Sequence, residues 1–265
     1  HQEYMSRILQ TKRYGSVEIR NMAEYISKDN RSGSFNIDLL NEAISNRFVS
    51  EDSSAVYERK NVNELNGIDT DSTVLVLGRG NSVFEKSYEI NQLIEKIEPV
   101  VFECNYLPKI NVSKKQHVSL FLRYGSFVEL LDEVVSSDKK IVLGFPKVKK
   151  TVARSINGAN TFFLSYIIDS GVVDCKQEKI VLPADVVSMY AIAVAINRGV
   201  KNIYLAGFDG YENDGNVSNQ RMQSELEQFF SLIKNKYQDV KITSLTPTNL
   251  SVKKGSIYQI LSSNT

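Results

Sequence analysis

The sequence predicts an α/β fold: a Rossmann-like three-layer sandwich on a mostly parallel sheet, preceded by a short helical segment. Three observations predict it. From Thr73 onward, apolar runs alternate with amphipathic stretches, the pattern of buried parallel strands and their crossover helices. One such run, Thr73-Val74-Leu75-Val76-Leu77, hands the chain directly to a glycine-bracketed turn, Gly78-Arg79-Gly80-Asn81-Ser82. Another, Asn202-Ile203-Tyr204-Leu205-Ala206, ends in Gly207-Phe208-Asp209-Gly210-Tyr211.

The segment before Thr73 has a different character. Ser16 can start a helix with Ile19, Met22, Ala23 and Ile26 on one face, and Asn36 another with Leu40, Ala43 and Ile44, separated by the polar stretch Lys28 to Ser34. Short amphipathic helices bury little alone. Residues 1–66 are therefore expected to be the helical tail of an upstream domain plus a linker, and residues 67–265 the Rossmann-like domain.

After the strand at 73–77, Ile90, Leu93, Ile94 and Ile97 mark a helix, and Val100 to Cys104 form a strand with Asn105 at its carboxyl end. Ser126 is expected to cap a helix carrying Phe127, Leu130, Leu131, Val134 and Val135, which leads into a strand at Ile141-Val142-Leu143. A helix from Asp185 to Asn197, rich in alanine, can pack closely on the sheet and stops at Gly199. The last expected helix carries Leu226, Phe229, Phe230 and Ile233, and a strand from Val240 to Leu245 ends in Thr246-Pro247-Thr248.

Composition narrows the function. Thirty-two Lys and Arg against 31 Asp and Glu leave a net charge of +1, so nothing global draws the chain to nucleic acid or an anionic membrane, and phosphate recognition has to be local. No apolar run approaches the ~20 residues of a membrane span, and the chain reads as cytoplasmic with no transmembrane segment. Cys104 and Cys175 read as reduced core thiols. His1 and His117 are the only histidines, which leaves no zinc-type spacing and nearly excludes Ser-His-Asp or Cys-His catalysis. His117 lies in an apolar segment and reads as structural or strand-edge. The acidic loop Asp209 to Gly215 departs from a calcium loop, because Gln220 stands where the bidentate glutamate would be; it reads as a solvated turn, and no metal is assigned. Lys147-Val148-Lys149-Lys150 with Arg154 reads as a solvated basic cluster, without the interleaved aromatics of a single-strand platform.

If the strands at 73–77 and 202–206 are parallel neighbours, Gly78 to Ser82 faces Gly207 to Asp209 across the crevice where such sheets bind nucleotides. Gly78 and Gly80 let the backbone approach a ligand, and Ser82 can cap the next helix while leaving its amides to a phosphate. The third glycine of a dinucleotide fingerprint would fall at Val83, so the turn alone is compatible with an ordinary strand-to-helix connection. Asp209 is the candidate general base, with Tyr211 or Tyr190 donating to a leaving group and Arg79 neutralising it. An aspartate in a turn also caps nearby amides, and both readings stay open.

The order of Leu77-Gly78-Arg79-Gly80-Asn81-Ser82, Glu103-Cys104-Asn105-Tyr106, Tyr190 to Ile196 with Gly199, Ile203 to Tyr211, and Leu245-Thr246-Pro247-Thr248 resembles a carboxyl-terminal domain of certain bacterial proteins from surface-polysaccharide loci. In those proteins an HMG-CoA-lyase-like, metal-dependent aldolase barrel, of the 4-hydroxy-2-oxovalerate aldolase type, comes first. The resemblance implies that such a lyase domain precedes this chain, holds the divalent metal, and partners it. The same motifs are similar, more distantly, to bacterial sialyltransferases that use a CMP-sugar donor. That similarity implies nucleotide or nucleotide-sugar contacts at Gly78, Gly80, Asn81, Ser82 and Asn105, with Ser188 and the turn at Gly207 lining the same crevice; Arg79, Tyr211 and Thr246 are further candidate nucleotide-binding residues. Those transferases use a late histidine as base, and this sequence has no histidine after His117. A non-catalytic binding or assembly module of the aldolase is the alternative, as is a pterin pyrophosphokinase-like or flagellin-glycosylation relative of the same fold. Homo-oligomerisation is left open.

Overall fold

The computed structural model describes residues 54–55, 60–105, 107, 110, 117–137, 139–145, 148–156, 160–176, 178–211 and 217–263. The helices expected near Ser16 and Asn36, Tyr106, Lys147 and residues 212–216 of the acidic loop lie outside that set.

The centre of the fold is a nine-stranded sheet. Its strands are β2 (Lys60–Asn61), β3 (Thr73–Leu77), β4 (Val100–Cys104), β5 (His117–Phe121), β6 (Lys140–Leu143), β8 (Thr161–Phe163), β11 (Asn202–Ala206), β12 (Lys241–Ser244) and β13 (Lys253–Lys254). The order across the sheet is β13-β12-β11-β3-β4-β5-β6-β8-β2, and every neighbouring pair is parallel. β1 (Ser54–Ala55) pairs antiparallel with β7 (Val148–Lys149), and β9 (Ser165–Ile168) pairs parallel with β10 (Lys179–Leu182).

Alternation along the strands sends side chains to both faces, and both are covered. Val74 and Val76 of β3 face a core with α6 (Val187–Asn197) and α7 (Val217–Lys236), whereas Leu75 and Leu77 face α1 (Asn81–Glu85), α2 (Ser87–Ile97) and α8 (Ile257–Ser262). On that second face, Phe121, Ile141 and Leu143 pack against α3 (Tyr124–Glu129), α4 (Leu131–Ser136) and α5 (Lys150–Ile156). The result is the expected three-layer, Rossmann-like α/β architecture. Helix α6 is buried at every position from Met189 to Ile196, which explains its lack of a polar face, and Gly199 ends it at φ 83°.

Several elements depart from the expectations. β2 joins the sheet edge, and Val62 and Leu65 belong to the main core. Strands β8 and β13, of three and two residues, were too short for the sequence reading, which also missed β9 and β10, and α8 follows the helix expected to be last. α3 begins at Tyr124 with Arg123 at its N-cap, so Ser126 lies inside the helix and does not cap it.

From β3 the chain proceeds outward through β4, β5 and β6, and from β11 it proceeds the other way through β12. The reversal between β3 and β11 is the topological switch point, where open parallel sheets place their ligand crevices.

Candidate functional site at the carboxyl edge

β3 and β11 pair in register up to Leu77 and Ala206, so the two glycine turns leave the sheet side by side. They are then stitched together. The Gly78 N–H donates to the Ala206 carbonyl at 2.8 Å and the Gly80 N–H to the Gly207 carbonyl at 2.9 Å. A Cβ on Gly78 would fall 2.3 Å from the Gly207 oxygen, so the close approach that glycine permits serves the neighbouring turn. Gly207, at φ 74°, donates its own N–H to Thr246 Oγ1 at 3.0 Å.

Asp209 completes this junction. Its Oδ2 accepts the Ser82 N–H at 2.9 Å and its Oδ1 the Ser82 hydroxyl. A Cβ on Gly80 would lie 2.5 to 2.7 Å from the carboxylate atoms. The carboxylate thus sits at the start of α1, where a phosphate was expected, and it meets the partial positive charge there. Two expectations change as a result. The N-cap of α1 is Gly80, not Ser82, and the Ser82 amide is taken up by Asp209. Asp209 acts as a clamp between two turns, the capping reading, reached across the sheet instead of locally. Thr248 donates to the Phe208 carbonyl, and Asn249 N–H to the Asp209 carbonyl at 2.9 Å, which fixes the turn from below. Thr246 lines a cavity of about 420 Å³ with Lys86 and Lys254, beside β12 and β13. The Tyr211 N–H is held by Gln223 Oε1 at 2.9 Å, and its half-buried ring packs on the main core.

The other predicted residues lie in the β3–α1 turn, just after β4 and on α6. Arg79, in the turn after β3, and Asn81, the first residue of α1, are exposed. The Cys104 thiol is pushed up to about 12 by burial and by Glu103, while the Arg79 charge pulls the other way. Asn105 ends β4 in the left-handed region at φ 65°, with its N–H on the Leu120 carbonyl at 2.9 Å. Ser188 is the second residue of α6, half-buried, and Val186 at the N-cap of that helix offers no side-chain acceptor to its amides. Tyr190 is fully buried with its hydroxyl on the Leu164 carbonyl at 2.7 Å, a core residue with no access to a leaving group.

Three residues of this edge went unnoticed in the sequence. Arg123, 47% exposed at the end of β5, approaches Asp185 Oδ2 with Nε at 3.6 Å and donates Nη2 to the Asp185 carbonyl at 3.2 Å. Asp185, nearly buried just before α6, also accepts the Tyr166 hydroxyl at 3.1 Å. Burial, and then the Asp185 charge, holds the Tyr166 phenol well above its ordinary range. Arg123 could have been found as a cation two residues past an apolar strand, and Asp185 as an acid at the mouth of an apolar helix. The aromatic partner had no signal.

Beneath Asn105 lies a buried polar cluster. Glu103 has no exposure and is met by Lys139 Nζ at 3.0 Å, by the Ser119 hydroxyl, and by His117 Nε2 at 2.9 Å. Burial alone would raise the Glu103 carboxyl, but His117, Lys139 and Ser119 outweigh it and leave the group below its ordinary value. Burial lowers Lys139 in turn, against the pull of Glu103. His117 is therefore structural, as expected, though on a central strand and not an edge. Cys104 and Cys175 are free and buried, as expected.

No family model matches the chain, and no curated protein sequence matches it. Its architecture does have a counterpart. The MAf glycosyltransferase from Magnetospirillum magneticum AMB-1 superposes with a TM-score of 0.53 at 12% identity, over 92% of this chain and 43% of that one. The sialyltransferase CstII from Campylobacter jejuni, solved with cytidine-5'-monophosphate, gives 0.42 at 16% identity, over 74% of this chain and 89% of that one. What the first likeness establishes is the fold. The chain spans less than half the length of that first neighbour. No described helix is long and apolar enough to cross a membrane.

Proposed function

We propose that the chain is a glycosyltransferase-like domain that binds a nucleotide or nucleotide-activated sugar along the carboxyl ends of β3, β4 and β5. The observation that carries this reading is the alignment of exposed Arg79, left-handed Asn105 and half-exposed Arg123 on adjacent strand ends at the switch point, beside the uncapped start of α6. Guanidinium groups are suited to paired hydrogen bonds with phosphate oxygens, and helix amides add a fixed positive field. Asn105 can offer both a donor and an acceptor to a base or ribose. In this reading Arg79 and Arg123 neutralise the phosphate, Asn105 and Ser188 orient the nucleoside, and the Gly78, Gly80, Gly207 and Asp209 junction forms the rigid floor.

Transfer chemistry would need a base for the acceptor hydroxyl. Among the described residues, the carboxylates of Asp209 and Asp185 at this edge are committed, Asp209 to Ser82 and Asp185 to Tyr166 and Arg123. His117 is buried against Glu103. These commitments favour the second reading, a binding or assembly module, over transfer of an acidic sugar from a CMP donor by this chain alone. Calorimetric titration with CMP, CMP-sialic acid, UDP, GDP and ATP tests the binding claim: saturable binding weakened by Arg79→Ala and Arg123→Ala supports it, and no binding overturns it. An upstream aldolase barrel with its own divalent metal, a surface-polysaccharide setting, a cytoplasmic location and a homo-oligomer belong to the same proposal. Reading the coding sequence upstream of His1 tests the barrel.

A further inference from the structure

The buried carboxylate beneath Asn105 has a geometry that reaches forward along the chain. Besides Lys139, Ser119 and His117, Glu103 Oε2 accepts the N–H of Leu107 at 3.2 Å, four residues on and past the end of β4. Leu107 is 1% exposed and packs with the α1 and α2 core under the sheet. Asn105 stands between these anchors, its own N–H held by Leu120 of β5. The chain is therefore pinned on β5 at Asn105 and on Glu103 at Leu107. A left-handed conformation at a residue other than glycine is costly, and it persists where the surroundings fix it.

A buried ion cluster is an expensive way to fill space, since an apolar side chain would avoid the desolvation of Glu103 and Lys139. An apolar side chain could not accept the Leu107 N–H. We propose that Glu103 is a positioning residue for the nucleotide site, holding Asn105 in its left-handed conformation by tying down Leu107, with Lys139, Ser119 and His117 fixing the carboxylate. This rests on the proposed nucleotide-binding role for its functional consequence, but its structural half stands independently.

The test uses the full chain with Glu103→Gln, Glu103→Leu, Asn105→Ala and the Glu103→Leu/Asn105→Ala pair. Amide hydrogen exchange at Asn105 and Leu107 is read without ligand, against the amides of β3 as an internal standard. Glu103→Leu should speed exchange at both amides by at least about tenfold while β3 stays protected, and Glu103→Gln, which keeps an acceptor oxygen, should restore most of the protection. Unchanged exchange at Asn105 and Leu107 in a folded Glu103→Leu protein overturns the proposal. If Glu103→Leu does not fold, Glu103→Gln and Ser119→Ala decide by the same exchange: a local rise at 105 and 107 in Ser119→Ala supports it, and none in either variant overturns it. CMP affinity then gives the functional half. Glu103→Leu should weaken CMP by about tenfold in an otherwise normal protein but add nothing in the Asn105→Ala background, because both act through one contact. Additive losses overturn the positioning role. Failure of the unaltered protein to bind any nucleotide would sink the proposed function while the exchange data still decide what Glu103 does.

Discussion

Replacing Asp209 with alanine separates a clamp from a catalytic base. The side chain accepts two hydrogen bonds from Ser82, one from the backbone N–H and one from the hydroxyl. Bonds to an ionised group contribute about 1.5 to 3 kcal/mol each, and Asp209 is half-buried, so water recovers part of the loss; a total of about 2 to 4 kcal/mol follows. At roughly 2 to 4 °C per kcal/mol for a domain of this size, Asp209→Ala should lower the melting midpoint by about 4 to 16 °C. Asp209→Asn keeps one acceptor oxygen and should lose about half as much. Ser82→Ala deletes only the hydroxyl, costs about 1 kcal/mol, and should cost less again when Asp209 is already alanine. The assay is urea and thermal unfolding of the original protein and these four variants, the Asp209→Ala/Ser82→Ala pair included, at neutral pH. An Asp209→Ala protein that melts within about 1 °C of the original refutes the clamp. If that protein had also lost nucleotide-dependent transfer, Asp209 would return to the role of base.

Gly78→Ala should be the most damaging of the glycine changes, costing more than about 3 kcal/mol or preventing folding, because its Cβ would meet a backbone oxygen that cannot move aside. Gly125, inside α3 with nothing within 4 Å of an added Cβ, should tolerate alanine with a gain of about 0.5 to 1 kcal/mol, read by urea midpoint. Glu103 gives a pH dependence of definite sign. Its carboxyl is held below the ordinary value of 4.5, so it contributes stability above that pH that is lost as pH falls through the lowered folded value. The difference in unfolding free energy between the original protein and Glu103→Gln, measured in urea, should be largest at neutral pH and shrink below about pH 4.5; a constant difference would contradict the assignment. Arg79, being exposed, should change to alanine with less than about 0.5 kcal/mol of destabilisation while weakening nucleotide binding.

The fold was legible because central parallel strands are buried on both faces, and β3, β4, β6 and β11 announce themselves as largely apolar runs. β8, β13 and β2 are edge or near-edge strands of two or three residues, too short to show a period. The switch point was legible for the same reason, through two glycine turns at the ends of recognisable strands. What the turns do to each other was not. A contact between Ser82 and Asp209 spans 127 positions, and nothing local distinguishes a turn aspartate that waits for a substrate from one that holds a distant serine. Arg123, Asp185 and Tyr166 pose the same problem: their pairing depends on β5, α6 and β9 meeting at one corner, a fact of topology. Glu103 is the clearest case, because a glutamate inside an apolar run reads locally as an error and becomes intelligible only with Ser119 beside it in register on β5.

The central claim is that the carboxyl edge binds a nucleotide, and thermal unfolding of the whole chain against CMP, CMP-sialic acid, UDP, GDP and ATP tests it most directly. A ligand at about 100 times its dissociation constant adds about 2.7 kcal/mol, or roughly 5 °C or more in midpoint. Such a rise is expected for at least one nucleotide, diminished in Arg79→Ala and Asn105→Ala. A flat panel, or a rise that both variants retain in full, would contradict it.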